Sequence, residues 1–114
     1  MSSRTDVEFL ADIQEAITRI SDYIGDMTLE DFLDDRKTQD ATIRNLEIIG
    51  EAVKNLSESL TTKHSHIPWK SLAGVRDKLI HHYFGVNFDI VWNIIKDELP
   101  TVSQQIQQIS SKIE

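Results

Sequence analysis

The fold is decided by a stretch near the end of the chain, WNIIKDELPTVSQQIQQISSKI (residues 92–113). Its large apolar residues recur at alternating intervals of three and four, which places them on one face of an α-helix; they are Trp92, Ile95, Leu99, Val102, Ile106, Ile109 and Ile113. A stripe that lasts for more than two heptads favours left-handed packing against other helices. Asn87 or Asp89 is expected to cap this helix, and Pro100 to kink it without ending it.

A second helix is predicted near the start of the chain. It begins at a capping box, Thr5-Asp6-Val7-Glu8, runs to about Tyr23 and is broken by Gly25-Asp26-Met27. Another capping signal, Thr28-Leu29-Glu30-Asp31, predicts a short helical turn. From this turn three apolar residues are expected to reach the core, namely Leu29, Phe32 and Leu33.

Two longer helices are predicted in the middle of the chain. One runs from about Arg36 to Leu60, and a polar loop, 61–67, follows it. Pro68 suits the first position of the next helix, which runs from Trp69 through Tyr83 to a stop at Gly85. With no strand, repeat or Gly-rich phosphate loop, the pattern predicts one all-α domain over residues 1–114. Its expected architecture is an antiparallel four-helix bundle plus a short extra helix.

Composition narrows the class of protein. The chain has no cysteine, so it offers no disulfide and no thiolate metal site. No apolar run approaches the roughly 18 residues of a membrane span, and the polar start Met1-Ser2-Ser3-Arg4 is unlike a signal peptide. A cytoplasmic protein with no membrane partner is therefore expected. The net charge of −7 argues against a general nucleic-acid binder.

The basic residues are nevertheless concentrated where the candidate chemistry lies. Residues 63–82 contain four Lys or Arg against one acidic residue, and they contain all four histidines. An acidic body around one electropositive site is compatible with a single chosen anionic substrate.

The candidate site is Arg76-Asp77-Lys78-Leu79-Ile80-His81-His82-Tyr83. Arginine binds two phosphate oxygens and stays charged, whereas histidine transfers protons near neutral pH. Metal-free cleavage of RNA needs both roles, which Arg76 and His81 fit by residue type. The alternative is a helix that merely has a polar face.

Helical geometry complicates the site. Arg76 and Tyr83 are seven residues apart and share a line along a helix, whereas His81 points about 140° away from Arg76 at about 100° per residue. Either the helix unwinds before Gly85, or the working site combines two copies of the chain. Asp77 lies one turn before His81, so its carboxylate is suited to hold the imidazole ring.

Other polar residues have simpler interpretations. One stripe of the long helix is read as a solvated face, with carboxylates lining the site or a dimer seam as the alternative; it comprises Arg44, Glu47, Glu51, Asn55 and Glu58. His64 with His66, and His81 with His82, lack the partners of a zinc site, so neither a metal nor another cofactor is predicted. Trp69 and Trp92 are interpreted as core anchors.

The whole pattern resembles the HepT branch of the HEPN ribonuclease superfamily. Residues 76–83 match its Arg-x4-His-x-Tyr signature, and IRNLEIIGEA (residues 43–52) resembles its long second helix. Residues 67–69, residues 83–87 and Trp92 flank the motif at the expected distances. The resemblance extends over essentially the entire chain.

This resemblance implies a HEPN-like bundle that acts as the toxin of a toxin–antitoxin pair. Such toxins are homodimeric RNases whose two Arg-x4-His motifs meet in one cleft, which makes Arg76 and His81 catalytic. Their antitoxin is an MntA-like nucleotidyltransferase that transfers AMP to the motif tyrosine, here Tyr83. Family members often have Asn after the motif arginine; Asp77 could instead orient His81 or pair with Arg76.

Two functions of different classes follow. The first is a metal-independent endoribonuclease that cuts tRNA or mRNA and is silenced by modification of Tyr83. The second is a non-catalytic helical module that binds a nucleotidyltransferase together with nucleotide or RNA. The presence of all three motif residues favours the enzyme, because a binding module would not need them.

Overall fold

The computed structural model describes residues 5–81 and 86–113, and within these ranges the regular structure is entirely helical. The elements are α1 Asp6–Ile24, α2 Leu29–Leu33, α3 Arg36–Lys54, α4 Glu58–Lys63, α5 Trp69–His81, α6 Phe88–Asn93 and α7 Leu99–Ile113, with a π-helical segment, Ile94–Glu98, that joins α6 to α7. The predicted all-α, HEPN-like fold is confirmed. None of the described helices is both long enough and apolar enough to cross a bilayer.

The predicted helix starts are confirmed where local capping determines them. Thr5 Oγ1 accepts from the Glu8 backbone N–H at 3.3 Å, and the Glu8 carboxylate accepts from the Thr5 N–H at 3.0 Å. Thr28 and Asp31 form the same box at the start of α2. Within α2, Phe32 is fully buried, as predicted. The prediction that Leu33 reaches the core is wrong, because its side chain is 44% exposed.

The long middle helix is shorter than predicted, which corrects its boundary. It ends at Lys54 rather than at Leu60. Just beyond this end, the Asn55 side chain donates to the Glu51 carbonyl at 2.8 Å. Ser57 then begins α4 by accepting from the Leu60 N–H at 3.1 Å. The predicted polar loop is therefore helical up to Lys63. The break arises because Ser57 offers the chain a new N-cap.

The helices pack around one apolar core, with α1 against α3 and α7, and α3 against α5. Asp6 at the start of α1 bonds to Ser57 just beyond the end of α3, so these two helices are antiparallel. Gln14 on α1 donates to the Ser103 hydroxyl on α7 at 2.7 Å. Trp69 is buried, as expected of a core anchor, and its indole N–H donates to the His64 carbonyl at 3.0 Å.

The disturbance expected at Pro100 takes the form of the π-helical segment Ile94–Glu98, which ends two residues before the proline. Pro100 has no N–H to donate one turn back, and the Leu99 N–H instead donates five residues back to Ile94. The buried residues Val91, Ile95 and Leu99 are spaced four and four. Eight residues of regular α-helix would place the first and last about 80° apart, so a wider turn helps to keep them on the core.

Candidate active site

Helix α5 carries most of the motif. Pro68 precedes this helix rather than forming its first residue, and its carbonyl accepts from the Leu72 N–H at 3.1 Å. Buried Trp69 and Leu72 attach the helix to the bundle. Arg76, Asp77 and His81 all belong to α5, although the side chains of Arg76 and His81 are outside the described part. Tyr83 and the predicted stop at Gly85 lie outside the described residues.

The course of α5 bears on the geometric difficulty raised by the sequence. The helix continues without a break from Arg76 to His81. These positions are therefore about 140° apart around one axis, as in an ideal helix. Any unwinding would have to come after His81, and it would not change this angle. One copy of α5 alone does not present the two positions on the same face.

Asp77 has a partner that the sequence did not indicate. Its Oδ1 accepts a hydrogen bond from the Lys54 ammonium at 2.5 Å, which ties the end of α3 to the motif. The Lys54 and Asp77 side chains are 38% and 46% exposed, so water screens the pair only in part. Because Lys54 and Asp77 are separated by 23 residues, no local spacing could have revealed the contact.

The polar stripe predicted on the long helix borders this contact, although Asn55 lies just beyond α3 and Glu58 lies on α4. Arg44, Glu51, Asn55 and Glu58 are exposed, and Glu47 is half-buried. Asn55 also donates to the Glu51 carboxylate at 3.3 Å, as expected for a polar helix surface. The exposure of these side chains fits a solvated face and a dimer seam equally, and Lys54 is the cation of this region that reaches across to α5.

A cleft of about 820 Å³ lies between α5 on one side and α6 with the π-helical segment on the other. Val91 and Ile94 form its apolar floor, and Lys70 and Lys78 lie along its α5 wall. At Gly74, a Cβ atom would meet nothing within 4 Å, so the backbone there faces open space. Position 81 follows Lys78 by three residues and therefore lies on the same side of α5, within the motif.

The other histidine pair forms a separate feature. The His64 and His66 rings meet edge to face, with centroids 6.0 Å apart. Burial, followed by the charges of Lys63, His66 and Lys112, holds the pKa of His64 below its usual 6.5. Among the described residues, no group of three or more metal-ligating side chains comes together.

The comparisons with known proteins support the predicted ribonuclease family. A family model described as "Ribonuclease HepT-like" matches residues 13–109. The chain is 51% identical, over 106 residues, to a protein of Methanocaldococcus jannaschii that is provisionally named as an RNase; the match covers 93% of this chain and 88% of that one. No solved structure gives a significant match.

Two further relatives match with similar coverage. One, provisionally named ribonuclease HepT, comes from Thermococcus cleftensis; it is 43% identical over 106 residues, 93% of this chain and 96% of its own. The other, from Caldanaerobacter subterraneus, is provisionally named as an RNase and is 43% identical over 109 residues, 96% of this chain and 97% of its own. The chain therefore belongs to the HepT-like ribonuclease family.

Proposed function

We propose that this protein is a metal-independent endoribonuclease, the toxin of a toxin–antitoxin pair, which a nucleotidyltransferase silences by adenylylating Tyr83. The observation that carries the proposal is the placement of Arg76 and His81 in α5, with position 81 three residues after Lys78 on the side of the helix that lines the cleft. Membership of a ribonuclease family supports the reaction class.

The proposed reaction is an intramolecular transesterification of RNA. A base takes the proton of a 2′-hydroxyl, whose oxygen attacks the adjacent phosphorus, and the bond to the 5′ oxygen breaks. The leaving oxygen takes up a proton, and the products are a 2′,3′-cyclic phosphate and a free 5′-hydroxyl. His81 is assigned the proton transfer, and Arg76 the stabilisation of charge on the phosphorane oxygens.

We propose further that the site is completed by a second copy of the chain. The uninterrupted course of α5 supports this, because one helix separates positions 76 and 81 by about 140°. In a homodimer with a two-fold axis, Arg76 of one copy can face His81 of the other. The same arrangement would bring two Tyr83 residues to the site shared by the two copies, where attached phosphates would repel RNA.

Cleavage of tRNA and mRNA in the presence of EDTA tests the reaction. Wild-type protein should leave 2′,3′-cyclic phosphate ends, and His81→Ala or Arg76→Ala should cut at least about 100-fold more slowly. His66→Ala, outside the motif, is the matched control and should retain activity. If wild type and His81→Ala are equally inert while both bind RNA, the non-catalytic module is the better description.

Mixing two inactive variants tests the shared site. In a heterodimer of Arg76→Ala with His81→Ala, one of two shared sites keeps both residues, so a mixture should recover about a quarter of wild-type activity. Sites contained within one copy would recover none. A monomer by sedimentation at micromolar concentration would also contradict the dimer.

Intact mass after co-expression with the neighbouring nucleotidyltransferase gene tests the silencing step. AMP additions should appear on wild type and vanish in Tyr83→Phe. Tyr23→Phe is the matched control, because Tyr23 is the other of the chain's two tyrosines and is exposed. An unchanged mass with preserved neutralisation would replace adenylylation by simple occlusion.

A further inference from the structure

A salt bridge connects the motif helix to the end of the neighbouring helix. Lys54 is the last residue of α3, and its ammonium lies 2.5 Å from Oδ1 of Asp77 on α5. Asp77 follows Arg76 directly and precedes His81 by one helical turn. The bridge therefore ends on the residue whose carboxylate is closest along α5 to both proposed catalytic positions.

A carboxylate at position 77 affects the site in two ways. It attracts the Arg76 guanidinium, which is then less available to a phosphate. It also favours the protonated form of an imidazole one turn away, which raises the pKa of that ring. A cation in direct contact with the carboxylate opposes both effects.

We propose that Lys54 is a positioning residue of the Arg76/His81 site, which holds the Asp77 carboxylate at α3 and offsets its charge. The proposal rests on the proposed ribonuclease function for its effect on activity. The electrostatic effect on α5, by contrast, rests on the observed contact between Lys54 and Asp77.

The surrounding charges make this cation matter. On α3, Glu47 and Glu51 share the stripe that leads to Lys54. On α5, Lys78 follows Asp77, and across the cleft the π-helical segment contributes Glu98. Loss of the Lys54 charge would shift the balance beside the motif towards the carboxylates of α3.

The imidazole of His81 is the direct reporter. In Lys54→Met, NMR titration should show the His81 pKa raised by on the order of 0.5 unit, because a partly screened charge that offsets Asp77 is removed. In the Asp77→Asn background the same substitution should change the pKa less, because position 77 then carries no negative charge for the ammonium to offset. Lys54→Arg should behave as wild type.

Two controls separate this role from general effects of charge and stability. Lys37→Met removes the same charge about 25 Å further along α3 and should not move the His81 titration. Arg19→Met breaks the comparable Arg19–Glu15 bridge, at 2.6 Å on α1, and should not move it either. If Lys54→Met unfolds, Lys54→Gln gives the same charge change with a different side chain.

Activity supplies the second readout. The pH optimum of cleavage should move upward in Lys54→Met together with the His81 titration, and KM for RNA should rise as Arg76 is drawn to Asp77. An unchanged His81 titration in Lys54→Met would overturn the proposal and leave a merely structural bridge. If the titration responds as expected but wild type cuts no RNA, the electrostatic role stands and the proposed function fails.

Discussion

Asp6 and Ser57 join the beginning of α1 to the beginning of α4. One oxygen of the Asp6 carboxylate accepts from the Ser57 N–H at 2.9 Å, and the other accepts from the Ser57 hydroxyl at 2.6 Å. The same hydroxyl accepts from the Leu60 N–H, so the capping of α4 depends on how Asp6 orients Ser57. This contact therefore helps to fix where α3 ends and where α4 begins.

We expect Asp6→Ala to lower the free energy of unfolding by about 1–2 kcal/mol, because the substitution removes two hydrogen bonds to a charged acceptor. Urea denaturation followed by circular dichroism measures the change. Asp26→Ala, at an exposed position between α1 and α2, is the matched control and should stay within about 0.5 kcal/mol of wild type. An equal effect of both substitutions would mean that the contact contributes nothing specific.

Thr42→Val should raise stability by about 1 kcal/mol, because valine has nearly the same shape without the cost of a buried unpaired hydroxyl. The Thr42 side chain on α3 is fully buried, and its hydroxyl has no hydrogen-bond partner in residues 5–81 and 86–113. Thr18→Val on the exposed surface of α1 provides the comparison, and thermal unfolding gives the difference. Destabilisation by Thr42→Val would indicate that the hydroxyl is paired.

Stability should depend on pH through His64. Its folded pKa lies below 6.5, chiefly through burial and then through Lys63, His66 and Lys112. The unfolded chain therefore binds more protons between the folded pKa and 6.5, and stability rises with pH in that window. The stability that comes from neutral His64 is complete above pH 6.5 and is lost as the pH falls through the folded pKa.

His64→Gln should remove this part of the acid destabilisation. Denaturation midpoints measured from about pH 8 to pH 5 should fall less steeply for the variant than for wild type. Lys112→Met should reduce the effect only in part, because Lys112 is the smallest of the four causes. Parallel curves for wild type and His64→Gln would contradict this prediction.

RNA binding should depend on the two lysines of the cleft. Lys70→Gln and Lys78→Gln should each weaken binding and lower the salt dependence of log K by about 1, as expected when one phosphate is no longer neutralised. Lys37→Gln, outside the cleft, should leave the salt slope unchanged. Fluorescence anisotropy with a single-stranded RNA in a salt series measures all three variants. Equal effects of all three would indicate binding by general charge rather than in the cleft.

How far the sequence could predict the molecule depends on the range of each interaction. The starts of α1 and α2 were predictable because their capping boxes join residues three positions apart. The end of α3 was missed because the apolar pattern continues to Leu60, and the Ser57 cap that interrupts it is oriented by Asp6, 51 positions away.

The candidate site divides in the same way. Arg76, His81 and Tyr83 could be named from their residue types and their spacing in one motif. Lys54 could not, since only the packing of α3 on α5 brings it to Asp77. The cleft also required the structure, because its walls come from α5 and from the helices that follow the motif.

The contact between Gln14 and Ser103 spans 89 residues and joins the first helix to the last. During translation, α1 therefore leaves the ribosome well before its partner α7 has been made, and the bundle cannot close until synthesis of α7 is complete. Until then the apolar face of α1 lacks part of its cover, and such nascent chains are prone to aggregate or to engage chaperones. A bundle assembled in this order acquires its completed fold only after α7 has emerged from the ribosome.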